Sequence, residues 1–137
     1  VRINCWICIY FTTQEFFTLV HDNLTDNGMF IGNFIGSTDI TKTTYLPAAM
    51  KTLLSVFPEG RFYGIQNPSG FEVQNVIFIA CKSDACVDPC SSSFKRSSDP
   101  ILSTLCEREV KVDPADLAMH PILTDDYAPV EWLSVRQ

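Results

Sequence analysis

The chain has 137 residues, 46% of them hydrophobic, and a formal charge of −6, which supplies one core and too little length for two ordinary domains. A pI near 4.7 excludes electrostatic binding to a nucleic-acid backbone, which needs a basic face. No run reaches the roughly 20 apolar residues of a membrane span, and Val1 to Phe11 lacks the small-residue cleavage site of a secretory signal. The expectation is a soluble, cytoplasmic protein with no membrane span and no nucleic-acid partner.

Val1 to Phe11 is rich in Ile, Trp, Tyr and Phe and reads as a buried strand or as a segment whose partner is absent. Thr12-Thr13-Gln14-Glu15 then forms a capping box, with the Thr12 hydroxyl accepting from the Glu15 amide and the Glu15 side chain reaching back. Phe16, Phe17, Val20 and Leu24 follow at helical spacing, and Asp26-Asn27-Gly28 predicts a left-handed stop. Met29 to Ile35 is apolar on both faces apart from Asn33, the pattern of a central strand covered by helices on both sides. Gly36-Ser37-Thr38-Asp39 breaks it, where α/β folds place ligand-facing loops, so Asn33 and this loop are candidates to border a pocket, Asn33 reading equally as a buried amide satisfied by neighbouring backbone. A second helix is predicted from Pro47 to Phe57, ended by Pro58-Glu59-Gly60.

Arg61 to Gln66 and Asn75 to Cys81 are two further strands, separated by the reversal Asn67-Pro68-Ser69-Gly70. Helix, strand, helix, strand, turn, strand predicts a parallel sheet carrying one antiparallel strand. Ser83 to Asp99 is polar and reads as a loop. Asp99-Pro100 and Asp113-Pro114 each pair an N-cap with Pro at the first helical position, predicting a short helix through Cys106 and one more turn through Met119.

The six cysteines are Cys5, Cys8, Cys81, Cys86, Cys90 and Cys106. Cys5-Trp6-Ile7-Cys8 has C-x-x-C spacing, but a zinc ribbon needs a second close pair, and β-branched and aromatic residues surround this one. The preferred reading makes the cysteines small core hydrophobes with a few in a loop, and no metal is expected. His21 falls on the polar side of the first helix, His120 precedes Pro121 in a loop, and no serine or cysteine nucleophile sits at a strained turn.

Three segments together resemble the spermidine synthase (polyamine aminopropyltransferase) family. They are Phe11-Thr12-Thr13-Gln14-Glu15-Phe16-Phe17 leading to Leu24-Thr25-Asp26-Asn27-Gly28 and a strand; Val56-Phe57-Pro58 through Asn67-Pro68-Ser69-Gly70 to Asn75–Ser83; and Ile122-Leu123-Thr124-Asp125-Asp126-Tyr127-Ala128-Pro129-Val130-Glu131. The resemblance implies the C-terminal half of a doubly wound, mostly parallel sheet, the Rossmann-like class I methyltransferase fold. It divides the chain into 1–83 in that half-domain, a polar loop at 84–99, and a helical extension with the tail motif at 100–137.

A complete member of such a family moves an aminopropyl or methyl group from decarboxylated S-adenosylmethionine or S-adenosylmethionine to an amine. No glycine-rich turn or catalytic aspartate loop precedes Phe11, so no cofactor is expected for this chain alone and no catalytic residue is assigned. Gln66 and Asn67 stand where the family carries an aromatic residue against its polyamine, and Asp125 and Asp126 could hold a cationic amine through charge-assisted hydrogen bonds. Each pair also reads as ordinary turn residues. The expected partners are a small amine, and either a second copy of the chain or the missing N-terminal half. The rival reading is a non-catalytic half-domain that acts through association.

Overall fold

A computed structural model describes residues 11–42, 44–67, 72–84 and 86–129. The predicted strand at Val1 to Phe11, the Cys5–Cys8 pair, and the Val130-Glu131 end of the tail motif lie outside the described residues, apart from Phe11 itself. Eight elements follow in order: α1 (Gln14–Asn23), β1 (Met29–Ser37), α2 (Tyr45–Val56), β2 (Arg61–Gly64), β3 (Val73–Cys81), α3 (Ser92–Lys95), α4 (Pro100–Ser103) and a 3-10 turn at Leu105–Arg108.

The helix at Thr12 forms one residue later than the capping box places it. Thr13 is the N-cap, and its hydroxyl accepts from the Phe16 amide at 3.3 Å. The Glu15 carboxylate accepts from the Asp125 amide instead of reaching back. Nor does the helix stop on a left-handed residue: Leu24 is extended, and Gly28 closes a turn onto the Thr25 carbonyl at 2.7 Å. Glycine is needed there for space, since a Cβ would lie 2.8 Å from that carbonyl oxygen. The second helix begins at Tyr45, two residues before the predicted start, because Pro47 then falls in its first turn, where a missing N–H costs nothing.

The sheet corrects the predicted fold class. Its order is β1-β3-β2, and both pairings are antiparallel, Met29 facing Cys81 through Ser37 facing Val73, and Arg61 facing Ile79 through Gly64 facing Val76. This is a three-stranded antiparallel sheet with a few helices, not a doubly wound, mostly parallel Rossmann-like sheet. The misreading has a physical source. The apolar run of Met29–Ile35 implies helices on both sides, whereas β1 is an edge strand that the described residues cover on one face only.

Helices α1 and α2 cover that one face. Phe17, Leu46, Met50, Leu53 and Phe57 pack with Phe34, Phe62, Val76 and Phe78 in the main core, joined by Leu117 and Leu123 from the C-terminal segment. The Phe78 ring stacks at 4.6 Å from Phe34 and 5.0 Å from Phe30. It also lies over its cross-strand partner Gly32, where a Cβ would meet the ring at 2.3 Å. Any side chain at Gly32 would therefore displace the aromatic cluster.

On the opposite face a second, smaller cluster joins Tyr63, Ile79 and Leu105, with Phe94, Cys81 and Cys86 against it. Two disulfides hold the chain that forms it, Cys81–Cys86 and Cys90–Cys106. The reading of these four cysteines as core hydrophobes or loop residues is thus corrected: spacing alone could not reveal a cross-link whose partners only the fold brings together. The segment predicted as a plain loop at 84–99 carries α3, and the predicted helix at 100–106 divides into α4, N-capped by Asp99, and the 3-10 turn.

Candidate functional site

The C-terminal end of β1 leads into a run of polar residues. Ser37, Thr38 and Asp39 are buried there. Asp39 organises the loop: its Oδ1 accepts from the Thr41 amide at 3.1 Å and the Thr41 hydroxyl at 2.5 Å, and Lys42 pairs with Oδ2 at 3.3 Å. The Thr41 hydrogen bond, reinforced by Lys42, holds the Asp39 carboxyl below its ordinary range against the opposing effect of burial. Asp39 is thus ionised at neutral pH, with its lone pairs engaged by its own loop.

Facing this loop is the turn from Asp113 to His120. Asp113 caps it through the Ala115 amide, and Leu117 anchors it in the core. Buried His120 bridges the two walls: its Nε2 lies 2.8 Å from the Ile40 carbonyl, so the ring donates there, and its Nδ1 is buried without a hydrogen-bond partner. Lys51 of α2 donates to the Ala118 and His120 carbonyls, taking up acceptors at the end of the turn. Between the walls lies an open cleft of about 560 Å³ lined by Ile40, Thr41, Ala115, Asp116, Ala118 and Met119.

The first and last described segments also meet. The Thr13 hydroxyl donates to Asp125 Oδ1 at 2.6 Å, the Gln14 amide donates to the Leu123 carbonyl at 2.8 Å, and the Asp125 amide donates to Glu15 Oε2 at 3.0 Å. The Leu123 amide in turn donates to the Thr52 hydroxyl of α2 at 2.9 Å. Tyr45 lies nearby in the fold, its hydroxyl hydrogen-bonded with the Thr12 side chain; burial pushes its pKa up to about 12 despite that bond.

The four residues singled out as substrate contacts fall into two places. The exposed Gln66 and Asn67 follow β2, and both of their amides donate to Gln74 Oε1, whose Nε2 donates back to the Asn67 carbonyl at 2.6 Å. Asp125 belongs to the joint with Thr13, and Asp126 is exposed in the turn between Thr124 and Tyr127. Asn33 faces the open side of the sheet and donates to Asn75 Oδ1 at 2.9 Å. His21 is half-buried, its ring standing edge-on to Phe57 at 5.3 Å.

Sequence reasoning misses Lys51 and reads His120 only as a loop residue before Pro121. The signal available was a lone histidine inside the apolar run Met119-His120-Pro121-Ile122-Leu123. No group of three or more His, Cys, Asp or Glu among the described residues is arranged to hold a metal. Comparison of the chain with protein-family models, with curated proteins and with solved structures finds no match. No described helix is long and apolar enough to cross a membrane.

Proposed function

We propose that the chain is the acceptor-side portion of a spermidine synthase-like transferase, built on an antiparallel sheet in place of that family's doubly wound one, and does not turn over substrate alone. One observation carries this reading: two of the segments that carry the resemblance, Phe11–Phe17 and Ile122–Pro129, close on each other through Thr13, Gln14, Glu15, Leu123 and Asp125. They behave as parts of one unit, although 112 residues separate Thr13 from Asp125. A small cationic amine is the substrate class. The exposed carboxylate of Asp126 and the side-chain carboxamide oxygens of Gln66 and Asn67 are its proposed contacts, with Asp125 already shared with Thr13.

The residues described here do not fit the sulfonium donor. Its nucleotide needs glycines that let backbone approach the ligand, whereas Gly32 is roofed by Phe78 and Gly28 by Leu24. No step is derived through the donor. The decisive experiment incubates labelled decarboxylated S-adenosylmethionine and S-adenosylmethionine with a panel of amines. It compares the 137-residue chain with the same chain extended by whatever is encoded in frame upstream of Val1. Group transfer by the extended protein alone is expected; transfer by the short chain, or by neither, overturns the reading.

A second reading is favoured by a specific observation, the bare apolar face of β1: the chain also acts through self-association. The two disulfides support maturation in an oxidising compartment rather than in the cytoplasm first expected.

A further inference from the structure

The two edges of the sheet are finished differently. Beside β2, the Val110 amide donates to the Phe62 carbonyl at 2.8 Å, Glu109 bridges Tyr63, and the Arg108 guanidinium donates to the Ile65 carbonyl. Along β1, no backbone hydrogen bond joins Met29–Gly36 to any described residue outside β3. Its open face carries large apolar side chains, Met29 at 41% exposure, Ile31 at 53% and Ile35 at 58%, with Val73 of β3 at 48%.

We propose that β1 is the docking edge for β1 of a second copy, the two strands running antiparallel and joining two sheets into one of six strands. This rests on the self-association reading and not on the transferase reading. Two properties of the strand select a second copy as the occupant. The first is charge. The chain carries −6, yet Met29–Ser37 (MFIGNFIGS) holds no ionisable side chain, so the seam brings no like charges face to face.

The second is register. A two-fold axis through Asn33 sets Ile31 opposite Ile35 of the other copy, and Ile35 opposite its Ile31, on the open face. Both exposed isoleucines thus gain a β-branched cross-strand partner, the type of pair that stabilises antiparallel sheets. Shifting the register by one residue would turn the isoleucines toward the wrong face of the neighbouring strand. The unpaired amides and carbonyls of the edge are satisfied in the same step.

Sedimentation of the 137-residue protein, in its oxidised form, tests this over concentrations up to about 0.5 mM, because a seam of this size gives a reversible dimer. The mass is expected to rise with concentration from 15.4 kDa toward twice that value. Ile35→Lys, checked for folding by circular dichroism, is expected to remain monomeric throughout. A register probe covers the case in which that variant misfolds. Directly opposed residues of antiparallel strands are about 4.5 to 5.5 Å apart at Cα, within disulfide reach. With oxidised glutathione as oxidant, Asn33→Cys is therefore expected to cross-link to itself, and Ile31→Cys and the unsubstituted chain are not. A monomer at every concentration overturns both the proposal and the self-association reading. A dimer that survives Ile35→Lys, or that cross-links through Ile31→Cys rather than Asn33→Cys, overturns the β1 seam and leaves self-association standing.

Discussion

The outer face of the sheet is two surfaces of the same three strands, and they differ in how their apolar side chains are protected. On the β2 side, Tyr63 and Ile79 are buried under Leu105 and Phe94 by a segment that two disulfides hold in place. On the β1 side, Ile31 and Ile35 are exposed and the edge is unpaired among the described residues. The segment covering β2 is short, polar and poor in regular structure, with helices of only four residues each. Such a segment buries too little apolar surface to order itself, and cross-linking removes much of the chain entropy that would otherwise release it. The comparison teaches that sheet coverage in a small domain can come from covalent closure, and that a face left without such closure remains available for association.

The largest effect expected from breaking this contrast comes from the Cys90–Cys106 bridge, which closes a sequence separation of 16. Replacing both cysteines with serine is expected to cost about 3 kcal/mol of stability, by the entropy of a loop of that length. Denaturant unfolding measures it, and amide exchange should accelerate at Arg61–Gly64 while β1 changes little. Leu105→Ala should follow at about 2 to 3 kcal/mol, because it empties the centre of the small cluster. An effect below about 0.5 kcal/mol would mean that the disulfides alone hold the cover.

Away from the cover, Thr13→Ala removes both the N-cap of α1 and the hydrogen bond to Asp125, and should cost about 1 to 2 kcal/mol in the same assay. Tyr45→Phe sharpens the contrast through pH. The Tyr45 pKa rises from about 10 in the unfolded chain to about 12 in the fold, with burial the leading cause. Its contribution is therefore fully present below pH about 10 and is lost as pH rises toward about 12. Stability of the unsubstituted protein relative to Tyr45→Phe should fall across that window; a constant difference would contradict the burial. The smallest effect belongs to the bare face, where Ile35→Lys should change the stability of the monomer by less than about 0.5 kcal/mol.

Much of the local structure was legible in the sequence. Phe16, Phe17, Val20 and Leu24 mark α1, Pro47 and the stop at Pro58-Glu59-Gly60 bound α2, and Asp99-Pro100 marks the start of α4, because helical periodicity and caps are written within a few residues. Strand positions were also close. Sheet topology was not legible. Met29–Ile35 is apolar at nearly every position whether it is covered on two faces or one, so the run cannot report that β1 is a half-bare edge. The cystines and the His120 bridge to Ile40 join residues through the fold rather than through spacing. The joint of Thr13 with Asp125 lies between these cases: the sequence marks Asp125 as a substrate contact and Thr12, the neighbour of Thr13, as the cap, and does not show Thr13 and Asp125 as partners.

Amide exchange of the oxidised protein, compared at dilute and high concentration, sets the two halves of the sheet against each other in one measurement. Slow exchange is expected at Phe62–Gly64 at both concentrations, lost on reduction of the disulfides. Along Met29–Gly36, the amides that point away from β3 are expected to exchange fast in dilute protein and slow when the protein is concentrated. Equal protection of those β1 amides at both concentrations would contradict the picture of a covered half and an open, self-pairing half.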